Sequence, residues 1–299
     1  MKHFVCIEQD GTYMNLRNGV LIFTYKGGIK RSVAVSTIEG VLVNNPNVSF
    51  SNLALSYLSE NGIPIFFLNR KHIPTGLVIP LNSITRQNLR FRLQASISAS
   101  DASAVWESIQ KQKAINQLSN LKILDREHYE FLKIISKTKS FVSSEGYISA
   151  QYFRILFGDN FRRHNSGGLS HALNFGYTVL MSVVLKRLVA HGLHPSLGIG
   201  HINSLNNVAL ASDLMEPFRP LIDYLVYNNR EKIGSIDRLS NEDKTYLINF
   251  INLKIDIKGN MTVATSVIDD FIISFCHSLE NRYSNILEHN YDKIESIKV

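Results

Sequence analysis

Residues 76–93 read GLVIPLNSITRQNLRFRL, and two different residue patterns meet within this stretch. Up to Ile79 the apolar residues are consecutive and largely β-branched, which is typical of a buried strand. A Pro-Leu-Asn-Ser segment at 80–83 then interrupts the chain with turn-forming residues. Beyond it, Leu89 and Leu93 recur at helical spacing. The stretch therefore predicts a boundary between a strand-rich and a helical region.

The region before this boundary is predicted to be β-rich. Its β-branched and aromatic runs are Leu21–Phe23, Val33–Val35, Ile38–Val43, Ile63–Phe67 and Leu77–Ile79. Turn signals such as Asn18-Gly19 and Gly27-Gly28 separate the runs. One helix interrupts them, because Ser51 is a suitable N-cap and Gly62 a suitable stop.

The region after the boundary is predicted to be helical, and one strong helix over 169–190 is ended by Gly192 and Pro195. The predicted fold class is α+β. A small β-rich domain covers residues 1–84, and a larger all-α domain covers residues 85–299.

The charge is unevenly distributed along the 299 residues. The whole chain carries +7 with a pI near 9.3, and residues 236–299 carry −3, so the first 235 residues carry +10. A basic chain indicates a polyanionic partner, although many small-molecule enzymes are equally basic. If nucleic acid binds, we expect it to bind the first 235 residues.

The sequence also predicts the compartment. No apolar run approaches the ~18 residues of a membrane span, and the amino terminus meets Glu8 and Asp10 before any signal-peptide core. Cys6 and Cys276 lie at opposite ends of the chain, which argues against a disulfide framework. We therefore expect a cytoplasmic protein without a membrane segment.

Several enzyme classes are disfavoured because their motifs are missing. The chain has no phosphate-binding Gly-Lys-Ser/Thr loop, no Gly-x-Gly-x-x-Gly and no Gly-x-Ser-x-Gly elbow. Two cysteines are too few for a zinc site.

The remaining candidates are polar residues of the helical region, and each has a structural interpretation. Glu145 follows two serines, so a serine cap with Glu145 in the first helical turn explains it. His201 can be a surface or hydrogen-bonded histidine. Asp213 and Glu216 share a helix face at their spacing, as a solvated acidic face or as partners of Arg219.

The alternative for His201, Asp213 and Glu216 is that they bind one shared ion. His201 and Glu216 are fifteen residues apart, which on a straight helix exceeds ~20 Å. The chain must therefore fold back if both bind one ion. Two carboxylates and an imidazole suit Mg²⁺ or Mn²⁺.

Four blocks of sequence carry a resemblance to a known family. They are Glu145-Gly146-x-x-x-Ala150-x-Tyr152-Phe153, Ala172-Leu173-Asn174-Phe175-Gly176-Tyr177, His201, and the stretch 210–220, LASDLMEPFRP. In order and spacing the chain resembles the CRISPR-associated adaptation integrase, the Cas1 family, over nearly its whole length. The second and fourth blocks look closest to members from type II systems. The resemblance implies a β-sandwich amino-terminal domain and a helical catalytic domain.

The resemblance also implies roles for individual residues. The metal ligands of the family, which are its catalytic residues, fall on Glu145, His201 and Glu216, with Mg²⁺ or Mn²⁺ as the ion. Asp213 and Asn203 fall beside the site in supporting positions. Arg163 and Arg219 match arginines near the pocket, where they contact phosphate or orient carboxylates. For Arg219, a structural pair with a nearby acid is the alternative.

DNA contacts are expected from the basic segment 81–140, which carries a local +5. Arg86 and Arg90, four residues apart, are candidates for the phosphate backbone, and a solvated helix face is the alternative. Gly167 and Ser170 stand where the family often has an aspartate and an asparagine.

The activity that the resemblance implies is spacer integration. The 3′-hydroxyl of a prespacer attacks the phosphodiester at the boundary of leader and repeat, and endonuclease activity follows if water replaces the hydroxyl. The implied partners are double-stranded DNA, a second copy of the chain joined through the β-rich domain, and a Cas2 dimer in a heterohexamer-type complex. In type II systems the effector nuclease and an accessory adaptation protein also take part.

Two other functions stay open at this point. One is a metal-dependent DNA nuclease of repair or transposition, and the other is a non-enzymatic DNA-binding scaffold.

Overall fold

The structure is a computed structural model that describes residues 3–69, 74–78, 80, 86–163, 167–201, 205–234, 239–281, 291 and 293–294. The chain divides into two compact units. The first unit comprises residues 1–88 with 189–193, and the second comprises 89–188 with 194–299. The division after Asn88 lies close to the predicted domain end at residue 84, whereas the assignment of 189–193 to the first unit was not predicted. Residues 81–85 of the boundary segment lie outside the described residues.

The first unit contains eight strands and one helix within the described residues. They are β1 (His3–Ile7), β2 (Tyr13–Arg17), β3 (Val20–Thr24), β4 (Lys30–Ala34), β5 (Ile38–Val43), β6 (Ser49–Phe50), α1 (Asn52–Glu60), β7 (Ile65–Leu68) and β8 (Pro74–Val78). One sheet has the order β1-β5-β7-β8, with parallel pairing of β1 to β5 and of β5 to β7 and antiparallel pairing of β7 to β8. The other has the order β4-β3-β2-β6, with only the β2–β6 pair parallel.

Both sheets contribute side chains to one apolar core. In β2 the buried and exposed residues alternate, so that Met14 and Leu16 face the core. Val41 and Ile65 of the other sheet belong to the same cluster. Helix α1 begins as predicted, because Ser51 accepts a hydrogen bond from the backbone N–H of Ala54. The prediction that the amino-terminal region is strand-rich is thus confirmed.

The second unit is mainly helical. Its elements are α2 (Gln87–Ala95, whose first turn falls at the boundary), α3 (Ala99–Ile123), α4 (Tyr129–Lys137), α5 (Phe141–Phe157), α6 (Gly167–Ala190), α7 (Ala209–Leu214), α8 (Arg219–Asn228), α9 (Arg230–Gly234), α10 (Asn241–Ile248), β9 (Lys254–Ile257), β10 (Asn260–Val263), α11 (Ala264–Glu280) and β11 (Lys293–Ile294). The predicted helix over 169–190 corresponds to α6.

Three short strands qualify the prediction that this region is all-α. They form a sheet of order β10-β9-β11 with antiparallel pairs. Each has four residues or fewer, which is too short for the alternation of a strand to stand out in the sequence. The α+β fold class is confirmed.

Helix α6 is long and apolar enough to cross a membrane by length and composition. However, 67% of its most apolar window is buried inside the structure. This burial is typical of the core helix of a folded protein.

Candidate active site

Helix α5 carries Glu145, and its start differs from the prediction. The cap is Ser140, whose hydroxyl accepts a hydrogen bond from the backbone N–H of Ser143. Glu107 of α3 accepts further hydrogen bonds from the N–H groups of Phe141 and Val142. The expected cap at residues 143–144 is therefore wrong, and Glu145 lies beyond the first turn.

The interpretation of Asp213 and Glu216 as a solvated acidic face is also wrong. Asp213 belongs to α7 and is 0% exposed, whereas Glu216 opens a 3₁₀ turn over Glu216–Phe218 and is 4% exposed. Glu216 does pair with Arg219, since its Oε1 lies 2.9 Å from an Arg219 guanidinium nitrogen. This pair agrees with the structural interpretation of Arg219.

Lys113 of α3 joins the two predicted glutamate ligands. Its Nζ lies 2.6 Å from Glu145 Oε1 and 2.8 Å from Glu216 Oε2. Glu145 also accepts a hydrogen bond of 3.0 Å from the Ser149 hydroxyl. The structure therefore brings the carboxylates of Glu145 and Glu216 to one point. The cation between them is the ammonium group of Lys113.

The sequence analysis missed Lys113, although a signal for it exists. Lys113, Asn116 and Asn120 are buried and continue the helical spacing of the buried apolar residues Val105 and Ile109, at steps of three or four residues. Polar residues at core spacing indicate a buried polar contact, because such groups need partners when they leave water.

Lys113, Glu145 and Glu216 keep one another charged although burial disfavours their charged forms. Burial alone would raise the pKa of Glu216, but the charges of Arg219 and Lys113 outweigh it and hold the pKa below its ordinary value. At Glu145, burial is likewise outweighed by Lys113, and the pKa is lowered. Burial would lower the pKa of Lys113, yet the two glutamates raise it. All three side chains are thus charged at neutral pH.

Asp213 holds the chain segment that carries His201. Its Oδ2 accepts the N–H groups of Ile199 at 2.6 Å and Gly200 at 3.0 Å, and its Oδ1 accepts that of His201 at 3.0 Å. The same Oδ1 lies 2.5 Å from Nδ1 of the His201 ring. The chain thus folds back between His201 and Asp213, which lies three residues before Glu216; the sequence analysis expected such a return if His201 and Glu216 bind one ion. Asn203 lies outside the described residues.

The imidazole of His201 has a defined electrostatic setting. The hydrogen bond to Asp213 raises the pKa of His201, burial opposes that increase, and the Glu216 carboxylate adds to it. With Nδ1 donating to Asp213, the Nε2 lone pair is left for a ligand when the ring is neutral.

Trp106 of α3 packs on the same segment, and the sequence analysis did not assign it to the site. Its ring centroid lies 5.3 Å from that of His201 in an edge-to-face arrangement. A Cβ atom on Gly200 would come within 2.2 Å of the Trp106 ring, so only glycine allows this approach. Asp213 and Trp106 together fix the position of His201.

Arg163 and Arg219 meet at the ring of Tyr177. Their guanidinium carbons lie 5.2 and 4.9 Å from its centroid. The Tyr177 hydroxyl donates a 2.5 Å hydrogen bond to Asp223, a buried carboxylate whose pKa burial raises to about 6. The structure therefore places Arg219 beside Glu216 and joins Arg163 to it through Tyr177, on a polar network that the sequence analysis did not identify.

Ser170, where the family often has an asparagine, supports Arg163. Its hydroxyl donates a 2.7 Å hydrogen bond to the backbone carbonyl of Arg163. Gly167, where the family often has an aspartate, is the first residue of α6.

The two arginines proposed for the DNA backbone differ in environment. Arg90 Nε lies 2.9 Å from Glu280 Oε1, and both side chains are mostly buried, with 15% and 13% exposed. Arg86 is exposed and precedes α2. Arg90 therefore already neutralises a carboxylate of the chain itself.

The donors at and beside this point are of the types that a hard divalent cation prefers. Glu145 and Glu216 supply two carboxylates at one point, and Asp213 orients the imidazole of His201 nearby. Glu216 Oε2 is buried and lies near Lys113 Nζ without the geometry of a hydrogen bond, so it retains an unsatisfied lone pair. Among the described residues, no three His, Cys, Asp or Glu side chains converge closely enough to hold one ion. In this structure Lys113 supplies the positive charge between the glutamates.

Comparison with known proteins gives consistent results. The family model described as "CRISPR associated protein Cas1" matches residues 5–249. The chain is 28% identical over 271 residues to the CRISPR-associated endonuclease Cas1 of Neisseria meningitidis serogroup C, and the match covers 89% of each protein.

Two solved structures share the fold. A casposase bound to an integration product superposes with a TM-score of 0.74 at 18% identity, covering 99% of this chain and 96% of that one. A chain of a Cas6-RT-Cas1–Cas2 complex superposes with a TM-score of 0.71 at 19% identity, covering 96% of this chain and 36% of that one. At these identities the likeness establishes the fold.

Proposed function

The chain belongs to the Cas1 family of CRISPR-associated proteins, and we propose from this that it is a divalent-metal-dependent DNA integrase and endonuclease of CRISPR adaptation. One observation carries the proposal. The carboxylates of Glu145 and Glu216 meet at a single cation, the Lys113 ammonium group. Asp213 orients the imidazole of His201 in the same unit. The name of the relative, an endonuclease, and the family match support the same activity.

In this proposal Glu145, His201 and Glu216 hold Mg²⁺ or Mn²⁺. A bound ion of this kind would polarise the target phosphate and stabilise the charge that develops on it. Asp213 keeps Nδ1 of His201 protonated, so that Nε2 would be the ring nitrogen with a lone pair for the ion. Arg219 holds the Glu216 carboxylate in place, and Arg163 beside it adds positive charge for the DNA backbone.

The proposed reaction is a transesterification. The 3′-hydroxyl oxygen of the prespacer forms a new bond to phosphorus at the leader–repeat boundary. The bond from phosphorus to the 3′ oxygen of the target strand breaks, and that oxygen takes up a proton. If water replaces the prespacer hydroxyl, the same displacement hydrolyses DNA. Holding the two DNA ends in line lowers the activation free energy by up to several kcal/mol.

The proposed partners are double-stranded DNA, a second copy of this chain joined through the β-rich unit, and a Cas2 dimer in a heterohexamer-type assembly. The Cas1–Cas2 complex and the DNA-bound casposase among the structural relatives support the Cas2 and DNA partners. We further propose a type II system, in which an effector nuclease and an accessory adaptation protein take part, and a cytoplasmic location.

A strand-transfer assay tests the proposal. A labelled prespacer duplex and a supercoiled plasmid with leader and repeat are mixed with this protein, its Cas2 partner and Mg²⁺ or Mn²⁺. Glu216→Gln and His201→Ala are compared with wild type, and Glu130→Gln, which changes an exposed carboxylate on α4, is the control. We expect metal-dependent joining at the repeat border by wild type and the control only.

The other outcomes separate the alternative functions. Metal-dependent cleavage without joining would favour a general DNA nuclease. DNA binding without either reaction, unchanged by both site substitutions, would favour a scaffold and would overturn the proposed catalysis.

A further inference from the structure

Lys113 lies at the centre of the proposed metal site, and the fold holds it there. It belongs to α3, whose Asn116 and Asn120 donate hydrogen bonds of 2.8 and 3.0 Å to the backbone carbonyls of Pro217 and Pro220. These contacts attach α3 to the segment that carries Glu216. Only 10% of the Lys113 side chain is exposed, so its contact with the two glutamates is not a flexible surface ion pair.

The charges of the site balance when Lys113 is included. Glu145 and Glu216 contribute two negative charges, and Lys113 and Arg219 contribute two positive charges. Without Lys113, the partly buried pair of carboxylates would carry an uncompensated negative charge. Such a charge is costly, because burial removes the water that would screen it.

The ammonium and a metal ion would compete for the same space. Mg²⁺ holds oxygen ligands at ~2.0–2.1 Å. An ion bound by both carboxylates would therefore compete with the Lys113 ammonium, whose Nζ now lies 2.6 Å from Glu145 Oε1 and 2.8 Å from Glu216 Oε2. Both cations cannot occupy that position.

We propose that Lys113 is a built-in placeholder cation: its ammonium holds Glu145 and Glu216 together in the metal-free protein, and a divalent ion displaces it on binding. This inference rests on the proposed metal site. After displacement, the ion, the two glutamates, Lys113 and Arg219 sum to +2 instead of zero. That excess favours a phosphate that gains negative charge during displacement.

Metal binding and thermal stability test the inference without any activity assay. Lys113→Met removes the charge and keeps an unbranched side chain. Lys111→Met removes an exposed lysine of the same helix and is the matched control. Mn²⁺ affinity is measured by calorimetry, and the melting temperature is measured in EDTA and in excess Mn²⁺.

We expect Lys113→Met to bind Mn²⁺ about tenfold more tightly than wild type or more, because the ion no longer displaces a like charge. In EDTA its melting temperature falls by about 5 °C or more, since the two carboxylates lose their cation, and Mn²⁺ restores it. Lys111→Met behaves as wild type in both measurements. Equal or weaker Mn²⁺ binding by Lys113→Met would overturn the placeholder role.

Two further results complete the test. If Lys113→Met does not fold, wild-type crystals grown with Mn²⁺ decide. Nζ should leave both carboxylates, whereas an ion bound by Glu145 and Glu216 with Nζ in its present place overturns the inference. The proposed metal site itself requires that wild type binds Mn²⁺ and that Glu216→Gln abolishes this binding. If that is not observed, the metal site fails, and the inference fails with it.

Discussion

A single buried carboxylate, that of Asp213, accepts hydrogen bonds from three consecutive backbone N–H groups and from the ring of His201. All of its partners are donors. An amide in its place would turn an NH₂ group toward at least one of these donors, and a buried donor facing another donor costs the desolvation of both. The carboxylate charge therefore organises the chain segment as well as the imidazole.

Asp213→Asn is expected to lower the free energy of unfolding by about 2–4 kcal/mol and the Mn²⁺ affinity by about 10–100-fold. The affinity is expected to fall because the imidazole of His201 would no longer be held in place. Asp213 itself is not one of the proposed ligands. Urea denaturation and calorimetry measure the two effects. Asp159→Asn, at a carboxylate with 84% of its side chain exposed, serves as control. Normal Mn²⁺ affinity in a destabilised Asp213→Asn would contradict the orienting role.

Asp223 differs from Glu145 and Glu216, because burial raises the pKa of its carboxyl group to about 6, above its ordinary value of 3.8. The native state then binds the proton more tightly than the unfolded chain. The stability that this group contributes is complete below pH 3.8 and is lost as pH rises through about 6. Arg163, Arg219, Tyr152 and Tyr177 surround it and oppose the increase.

Asp223→Asn should remove this pH dependence. The shift corresponds to about 3 kcal/mol over the whole window. The free energy of unfolding of the variant relative to wild type should therefore rise between about pH 4 and pH 6.5 and be constant above that range. Urea denaturation of both proteins at several pH values gives this difference, in which other titrating groups cancel. A difference independent of pH would show that folding does not raise the pKa of Asp223.

Among the elements, α6 and α8 approach closely at Gly176. A Cβ atom there would come within 2.4 Å of Ile222 Cγ2, and Ile222 is fully buried. The next residues along the two helices are Tyr177 and Asp223, which are joined by the hydrogen bond from the Tyr177 hydroxyl. The close approach of the two helices therefore supports the polar network beside Glu216.

Gly176→Ala is expected to destabilise the protein by about 1–3 kcal/mol through overpacking. Ile222→Ala alone should cost about 2–4 kcal/mol, and the double variant should cost less than the sum, because the new methyl group enters the space that Ile222 vacates. Gly146→Ala on α5, where a Cβ atom meets nothing within 4 Å, is the control and should be neutral or stabilising. Additive costs would contradict a direct clash.

The elements also show how far the sequence could be interpreted. Local signals sufficed for α1, with its Ser51 cap, and for the end of α6. They failed at α5, where serines at 140, 143 and 144 offer equivalent caps. There the choice depends on Glu107 of another helix, which is a tertiary contact. The proposed ligands were named through family resemblance. The spacing of polar residues in α3 indicates that Lys113 is buried, but its two glutamate partners come from other elements, so they are visible only once these elements are packed together.

At the scale of the whole molecule, the charge distribution governs the expected DNA binding. The first 235 residues carry +10 and residues 236–299 carry −3. Contacts between basic side chains and phosphates release counterions, so affinity falls linearly with the logarithm of salt concentration. Individual basic residues contribute to that slope only if they are available to phosphate.

Arg86 and Arg90 should therefore respond differently to substitution. Arg90→Met breaks the mostly buried pair with Glu280 and should cost about 1–3 kcal/mol of stability without changing the salt dependence of DNA binding. Arg86→Met should lower the slope of log affinity against log salt by about 1. Fluorescence anisotropy with a labelled duplex at several salt concentrations measures the slopes. A reduced slope for Arg90→Met would mean that DNA replaces Glu280 as its partner.

The contact between Trp106 and His201 has a practical consequence, because Trp106 is the only tryptophan in the chain. Indole emission responds to charge placed against the ring, and here the charged group would be the imidazole of the proposed site itself. The intrinsic fluorescence of the unlabelled protein is thus an optical reporter of this one histidine. Protonation of His201, and capture of an ion by it, can be followed in real time with no background from other tryptophans.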